Sequence, residues 1–321
     1  MRAVWMAEFG PPAVLVAGSA PDPEPGAGQV VVGVSVIGIA FVETQRRAGR
    51  SFPPGDQPRL PMIPGNAVGG VVIAAGPGAA PELVGRRVVS STGGSGAYAE
   101  QVAVAAAEVI EVPADLDLPA ATALLADGRT AIGLARLAGV SAGDRVLVEA
   151  AAGGVGSLLV QLAAGAGATV IAAASSQRKL ELASGLGADA VVDYTEPGWP
   201  ERVRQAAGGG VDVVFDGVGG SIGQDALALL GAGGRFVLHG LASGSFTDTS
   251  AAAERGVQVT GLRQWASLGL DNRELTRLAL VEAAAGRLRP VIGQTFPLAA
   301  AADAHAAIEA RSTLGKTLLL C

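Results

Sequence analysis

Two short stretches of this sequence contain residue types whose spacing points to chemistry. The first is AAGGVG, residues 151–156, and the second is SSQRK, residues 175–179. Small residues in a turn let the backbone approach a pyrophosphate closely, and a helix that begins there presents N–H groups and its positive dipole end. The second stretch supplies hydroxyl groups and cations shortly afterwards. Together they indicate a phosphate-binding site.

The elements around the first stretch support this interpretation. RVLVEA (145–150) is typical of a buried strand, SLLVQLAAGAG (157–167) of a helix, and ATVIAAA (168–174) of a second strand. The turn between them is a variant of G-x-G-x-x-G with Ala151 in place of the first glycine. The uncharged run from Ala150 to Gln177 is long enough to cross a bilayer, but five glycines interrupt it and no aromatic belt flanks it.

The end of the second strand distinguishes between two dinucleotides. An NAD site has an Asp or Glu there to hold the ribose hydroxyls. This strand runs into AAASSQRK, which contains no acid and instead brings Ser175, Ser176, Arg178 and Lys179. Hydroxyls and cations suit a 2′-phosphate, so the sequence predicts NADPH. The alternative, that Arg178 and Lys179 are solvated helix residues, stays open.

Composition narrows the class of protein. The chain has 321 residues, 50% of them apolar, with 47 glycines and a net charge of −6. That charge gives no reason to expect nucleic acid or an anionic membrane as a partner. The single cysteine, Cys321, excludes a disulfide framework, and MRAVWMAEFG lacks the features of a signal peptide. We therefore expect a cytoplasmic location.

The pattern of elements changes along the chain. Residues 1–122 read as short β-branched strands separated by proline- and glycine-rich turns. From residue 123 to 261, strand-like and helix-like runs alternate, which predicts an α/β fold with a doubly wound parallel sheet. Residues 262–321 contain the helical runs NRELTRLALVEAAAGR and AAAADAHAAIEARS and the final strand KTLLL.

Three segments resemble one family: EAAAGGVGSLLVQLA, ASSQRKLELASGLGADAVVDYTE and VDVVFDGVGG. They are similar to the medium-chain dehydrogenase/reductase superfamily, and more closely to its zinc-free quinone oxidoreductase, zeta-crystallin-like branch. The resemblance implies a GroES-like β domain (1–122 and 262–321), a Rossmann NADPH-binding domain (123–261), a cofactor and substrate cleft between them, and a homodimer.

The resemblance also implies site residues. Diphosphate contacts fall on Ala152, Gly153, Gly154 and Val155, and 2′-phosphate contacts on Ser175, Lys179 and Tyr194. Contacts on the nicotinamide side fall on Thr130, Val218, Gly219, His239, Gly240 and Leu241. Two departures concern the substrate: Ala40 and Gln45 stand where relatives have Asn and Tyr.

A catalytic zinc needs three protein ligands and a structural zinc typically four cysteines. The chain offers only Cys321, His239 and His305, and PGNAVGG stands where zinc-dependent relatives have Gly-His-Glu. We therefore expect no metal.

The predicted reaction is hydride transfer from NADPH to a small-molecule electron acceptor, a quinone or an α,β-unsaturated carbonyl. A loop ADGR would place Arg129 to stabilise an oxyanion, with Asp127 orienting it, unless both simply form a salt-bridged helix start. The acceptor pocket is expected in residues 41–60 and 262–272.

Two alternatives remain. One is an NADPH-binding protein without turnover, such as a crystallin or a sensor. The other, remote, is a serine hydrolase: GGSIG (219–223) matches G-x-S-x-G, and Asp248 and His305 follow Ser221 in the order of a triad. We interpret Ser221 instead as a helix N-cap, with Gln224 completing a capping box.

Overall fold

The computed structural model describes residues 1–50, 57–262, 264, 269 and 271–321. These form two compact units. The first contains Met1–Ala126, Leu280–Ala284 and Pro290–Cys321, and the second contains Asp127–Ala279 and Ala285–Arg289. The domain boundaries expected at residues 122/123 and 261/262 stay predictions.

The strands, in chain order, are β1 (Arg2–Met6), β2 (Leu15–Ser19), β3 (Gln29–Ile39), β4 (Ala67–Ala75), β5 (Arg87–Ser91), β6 (Gln101–Ala105), β7 (Ile110–Glu111), β8 (Arg145–Val148), β9 (Thr169–Ala174), β10 (Ala190–Asp193), β11 (Val211–Asp216), β12 (Leu230–Leu238), β13 (Gln258–Gly261), β14 (Ile292–Pro297) and β15 (Lys316–Leu320). The α-helices are α1 (Phe41–Arg47), α2 (Leu118–Ala138), α3 (Gly154–Gly165), α4 (Gln177–Gly185), α5 (Trp199–Ala207), α6 (Gly220–Leu227), α7 (Asn272–Ala284) and α8 (Ala301–Glu309).

The first unit is built on a largely antiparallel seven-stranded sheet. Its order is β14-β15-β3-β4-β5-β7, with β6 also paired to β3, and β1 and β2 form a separate hairpin. Valines and isoleucines of the central strands, including Val30, Ile37 and Val68, form the core together with Tyr98. The C-terminal strand β15 pairs with β3, so the end of the chain completes the sheet begun near its start.

The second unit is a parallel six-stranded sheet in the order β10-β9-β8-β11-β12-β13. Numbered within the unit, this is the order 3-2-1-4-5-6 of a doubly wound Rossmann sheet. Its central strands are buried almost throughout, because helices cover both faces of such a sheet. The predicted α/β fold with a doubly wound parallel sheet is confirmed.

Several local predictions were incomplete. Strands β1, β2, β7 and β14 and the short helix α1 were not predicted, and α3 begins three residues earlier than expected, inside the glycine turn. These missed elements are short. Pairing with neighbouring strands and packing against the core stabilise them, and neither leaves a clear local pattern in the sequence.

The ADGR segment lies within a run, residues 118–140, whose pattern predicts a helix, and its separate prediction as a loop ahead of Thr130 was wrong. Residues 126–129 lie in the middle of the continuous helix α2. An interior glycine costs a helix only about 1 kcal/mol, which the burial of leucines and alanines along α2 outweighs.

Candidate cofactor-binding site

The glycine turn joins β8 to α3 by a very close backbone approach. A Cβ added at Gly156 would lie 2.3 Å from the carbonyl oxygen of Ala150, so only glycine fits there. Gly153 is the N-cap of α3 and donates its N–H to the Ala150 carbonyl at 2.8 Å. No side chain caps this described helix end. The first turn of α3, which includes Gly154 and Val155, therefore presents backbone N–H groups and the positive dipole end.

The turn also contains a strained residue that the sequence did not reveal. Ala150 has a φ of 49°, in the left-handed region that favours glycine. The missing first glycine of the fingerprint is Ala151, which is fully buried and has no such strain. The sharp change of direction after β8 therefore occurs one residue earlier than the motif suggests.

Asp127 lies against the start of α3. A Cβ added at Gly154 would come within 2.0 Å of Asp127 Oδ2, so this carboxylate occupies the space beside the first helical turn. Thr130 follows on the same face of α2, three residues on. A carboxylate at a helix N-terminus is favourable for the helix. Its proposed role in orienting Arg129 stays a prediction.

The predicted 2′-phosphate residues lie around the ends of β9 and β10. Lys179 Nζ donates a hydrogen bond to Ser175 Oγ at 3.1 Å, and both side chains are half-buried. Tyr194 donates its backbone N–H to Ala174, the last residue of β9, at 3.1 Å. Ser176 is the N-cap of α4, and Arg178, two residues into that helix, is exposed. The structure thus brings Ser175 and Lys179 together and places Tyr194 beside the end of their strand.

The predicted nicotinamide-side residues form two joined segments after β11 and β12. The N–H groups of His239 and Gly240 donate to the Asp216 carbonyl at 2.9 and 3.2 Å, and Ser243 donates to the carbonyl of Val218 at 2.8 Å. A Cβ at Gly217 would lie 2.8 Å from the His239 ring. The two segments therefore fit together only because this position is glycine.

His239 is a neutral side chain at ordinary pH. Burial lowers its pKa to about 4, although the carboxylate of Asp216 acts in the opposite direction. Among the described residues, no group makes a hydrogen bond to its buried Nε2. This imidazole does not provide a cation at neutral pH.

Sequence reasoning missed two carboxyl groups. Glu149 directly follows β8 and Asp216 ends β11, and both are fully buried. Asp216 Oδ1 accepts the N–H groups of Val218 and Gly219 at 3.0 and 2.6 Å. The signal was present in the sequence, as an acid at the carboxyl end of each of two buried parallel strands.

Ser221 does not have the position that we predicted. The N-cap of α6 is Gly219, and Ser221 is an exposed residue inside the helix. The prediction of an N-cap with Gln224 in a capping box was therefore wrong. The Asp216 carboxylate instead binds the N–H groups of Val218 and Gly219, which directly precede the helix. An elbow serine stands directly on the strand-to-helix turn, whereas β11 ends five residues before Ser221.

The remaining candidate metal ligands lie in other environments. His305 Nε2 lies 2.8 Å from the Tyr98 hydroxyl, and burial lowers the pKa of this histidine to about 3. In the described part of the chain, no three or more His, Cys, Asp or Glu side chains are grouped so as to hold a metal ion. The expectation of a metal-free protein stays a prediction.

In the first unit, Gln45 is buried and bonded to Thr44 Oγ1 and Arg50 Nε. Residues 51–56, 263, 265–268 and 270 of the expected acceptor pocket lie outside the described residues. Within the ranges that the structure does describe, no helix has the length and apolar composition needed to cross a membrane.

Two family models match the chain. The alcohol dehydrogenase GroES-like domain matches residues 26–114, and the zinc-binding dehydrogenase family matches residues 154–271. Among curated proteins, a 2-haloacrylate reductase from a Burkholderia species is 35% identical over 92% of both chains. A quinone oxidoreductase from Rattus norvegicus is 31% identical over 100% of this chain and 98% of its own.

Solved structures show the same likeness. The Escherichia coli quinone oxidoreductase complexed with NADPH superposes with a TM-score of 0.90 at 29% identity, and mycobacterial Rv1454c complexed with NADPH with a TM-score of 0.88 at 37% identity. In both cases the match covers 100% of each chain. With two domain models in the expected order and full-length relatives above 30% identity, the chain belongs to the medium-chain dehydrogenase/reductase superfamily, in its zinc-free quinone oxidoreductase branch.

Proposed function

We propose that this protein is an NADPH-dependent oxidoreductase that reduces a quinone or an α,β-unsaturated carbonyl compound without a metal. The observation that carries the proposal is the Lys179–Ser175 pair at the end of β9, where an NAD site would have an acid. The two structures named above, of related proteins solved with NADPH, support the same cofactor.

The residues present fit NADPH at both of its phosphate groups. The N-terminal turn of α3 offers backbone N–H groups from Gly154 and Val155 beside the small residues Ala152 and Gly153, which suits a diphosphate. Ser175, Ser176, Lys179 and Tyr194 would hold the 2′-phosphate, with Arg178 contributing positive charge from the exposed face of α4.

The segments after β11 and β12 would hold the nicotinamide end. Val218, Gly219, Gly240 and Leu241 are proposed to line that end of the site, and Thr130 would contribute from α2. When bound, NADPH supplies the hydride, and the protein supplies orientation and exclusion of water. The neutral state of His239 means that it offers a polar surface without a charge.

The acceptor class follows from the chemistry of hydride transfer and from the relatives. Hydride addition requires an electron-poor acceptor. One relative named above is a quinone oxidoreductase, and another is a reductase of 2-haloacrylate, an α,β-unsaturated carboxylate. Arg129 is proposed to stabilise the oxyanion that forms on such an acceptor, with Asp127 orienting it. Solvent is proposed to deliver the proton that completes enone reduction.

The test is oxidation of NADPH and NADH at 340 nm with 9,10-phenanthrenequinone, a simple enone and 2-chloroacrylate. We expect turnover with NADPH preferred, and loss of that preference in Lys179→Ala by about tenfold or more, because a charge-assisted hydrogen bond contributes about 1.5–3 kcal/mol. The control is Arg204→Ala, which removes an exposed cation from α5.

Arg204→Ala should leave the preference unchanged. Equal use of NADH by the unmodified protein would contradict the 2′-phosphate assignment. Tight NADPH binding without turnover on any acceptor would favour the non-catalytic alternative instead.

A further inference from the structure

Two buried carboxyl groups meet at the point where the second unit's sheet reverses its winding. β8 and β11 are neighbours, but the strands that follow each of them lie on opposite sides. Glu149 and Asp216 lie at the carboxyl ends of these two strands, and each side chain is 0% exposed. In doubly wound sheets, ligands bind in the crevice at this switch point.

The contacts of the pair leave one oxygen unsatisfied. Asp216 uses Oδ1 for the N–H groups of Val218 and Gly219, and Oδ2 accepts the hydroxyl of Thr247. Glu149 Oε2 accepts the Val218 N–H at 3.3 Å. Its Oε1 is buried and has no hydrogen-bond partner among the described residues.

A single proton, held between the two carboxyl groups, removes this unfavourable arrangement. The carboxyl groups of Glu149 and Asp216 both accept the N–H of Val218, at 3.3 and 3.0 Å, so they lie side by side, and two adjacent buried carboxylates strongly disfavour double ionisation. The titratable groups that face Glu149 are Asp216 and, at longer range, Asp225 of α6; His239, beyond Asp216, is neutral. Burial raises the pKa of Glu149 well above its usual range, and the charge of Asp216 raises it further.

We propose that Glu149, in its protonated form, is a positioning residue for the nicotinamide end of the cofactor site. Its hydroxyl donates to Asp216 and keeps that carboxylate on the N–H groups of Val218 and Gly219, which fixes the turn after β11. Through the Asp216 carbonyl, the same turn is bonded to His239 and Gly240. The proposal rests on the NADPH-binding function proposed above.

Loss of this proton has a specific consequence. When Glu149 ionises, two buried negative charges repel, and the turn that carries Val218 and Gly219 loses its fixed geometry. NADPH affinity then falls as the pH rises, whereas the 2′-phosphate end, at β9 and β10, is unaffected. Since the proton is required for binding, the Kd rises by up to about tenfold per pH unit above the pKa of Glu149.

The experiment measures Kd by fluorescence between pH 7 and 9.5 for NADPH and for 2′,5′-ADP, which carries the phosphates but no nicotinamide. The range begins at pH 7 so that the 2′-phosphate stays ionised. The variants are Glu149→Gln, whose amide donates without titrating, and Glu149→Leu, which cannot donate. The matched control is Asp212→Asn, which breaks a partly exposed ion pair with Arg145 at the opposite end of β11.

The unmodified protein and Asp212→Asn should lose NADPH affinity with rising pH, Glu149→Gln should show a flat profile, and Glu149→Leu should bind NADPH weakly at every pH. Binding of 2′,5′-ADP should be the same in all four proteins. The same pH-dependent loss of NADPH affinity in Glu149→Gln as in the unmodified protein, or NADPH binding by Glu149→Leu as tight as by the unmodified protein, would overturn the role of Glu149 and leave the proposed function intact. Absence of NADPH and 2′,5′-ADP binding at pH 7 would contradict both proposals.

If Glu149→Gln does not fold, the comparison of NADPH with 2′,5′-ADP in the unmodified protein still decides the question. A parallel loss of affinity for both ligands would show a global effect of pH and would overturn the proposal.

Discussion

Two regions at the carboxyl ends of the second unit's strands differ in the charge and burial of their side chains. At the end formed by β9 and β10, Ser175 and Lys179 are half-buried and Arg178 is exposed. At the end formed by β8, β11 and β12, Glu149 and Asp216 are fully buried and His239 is neutral. One end offers cations that are partly exposed to water, and the other offers buried carboxyl groups bonded to backbone N–H groups.

The difference matches what each end of NADPH requires. A phosphate dianion is recognised by charge, and solvated side chains can supply it at little structural cost. A nicotinamide ring must be held at a fixed distance from its acceptor, which requires a backbone turn that does not move. Substitutions at the β9 end should therefore change affinity alone, whereas those at the buried end should change both affinity and stability.

The largest effect is expected at the glycine turn between the two ends. Gly156→Ala places a Cβ 2.3 Å from the backbone oxygen of Ala150, and such overpacking costs about 3 kcal/mol because neither the Cβ, whose position the backbone fixes, nor the backbone carbonyl can move aside easily. We expect a lower free energy of unfolding in urea and loss of NADPH binding.

Gly165→Ala is the matched control in the same helix. A Cβ there would meet nothing within 4 Å, so this change should stabilise α3 by about 0.5–1 kcal/mol. If the two variants had the same free energy of unfolding, the close approach of α3 to β8 would be wrong.

An intermediate effect is expected from the proton on Glu149. The folded protein keeps this proton to a pH well above 4.5, the usual pKa of the unfolded side chain. The stability it contributes is therefore complete below about pH 4.5 and is lost as the pH rises through the raised pKa, by about 1.4 kcal/mol per pH unit.

Urea unfolding of the unmodified protein and of Glu149→Gln, measured from pH 5 to 9, should show the variant gaining relative stability as the pH rises. A constant difference across this range would mean that Glu149 does not retain a proton in the folded state.

The smallest effect is expected at Ala150. Its left-handed backbone costs about 1 kcal/mol, and glycine removes that strain at the expense of a more flexible unfolded chain. Ala150→Gly should therefore stabilise the protein by about 0.5 kcal/mol in thermal unfolding. Ala151→Gly, at a residue with ordinary φ, should destabilise the protein. If both substitutions raised the melting temperature, or both lowered it, this account of the turn would be contradicted.

The second unit was more predictable from sequence than the details of its site. Alternating strands and helices, the glycine turn and the SSQRK segment are local patterns, and the structure places Ser175 and Lys179 together as those patterns suggest. The pairing of Glu149 with Asp216 depends on strand order, because distant segments meet only when β8 and β11 become neighbours. No local pattern contains that information.

The errors have a similar cause. Asp127 and Gly128 resemble a loop when considered alone, yet α2 continues through them because its buried face outweighs a weak local preference. Ser221 has the composition of an N-cap, but the buried Asp216 carboxylate already binds the N–H groups of this turn. In each case a tertiary contact overrode a local preference.

The central claim is that the β9 end recognises a 2′-phosphate, and its most direct test is the pair of dissociation constants for NADPH and NADH in the unmodified protein and in Lys179→Ala. The account predicts tighter binding of NADPH by the unmodified protein, and in Lys179→Ala a loss of about tenfold or more for NADPH with little change for NADH. Equal affinities in the unmodified protein, or an equal loss for both dinucleotides in the variant, would contradict it.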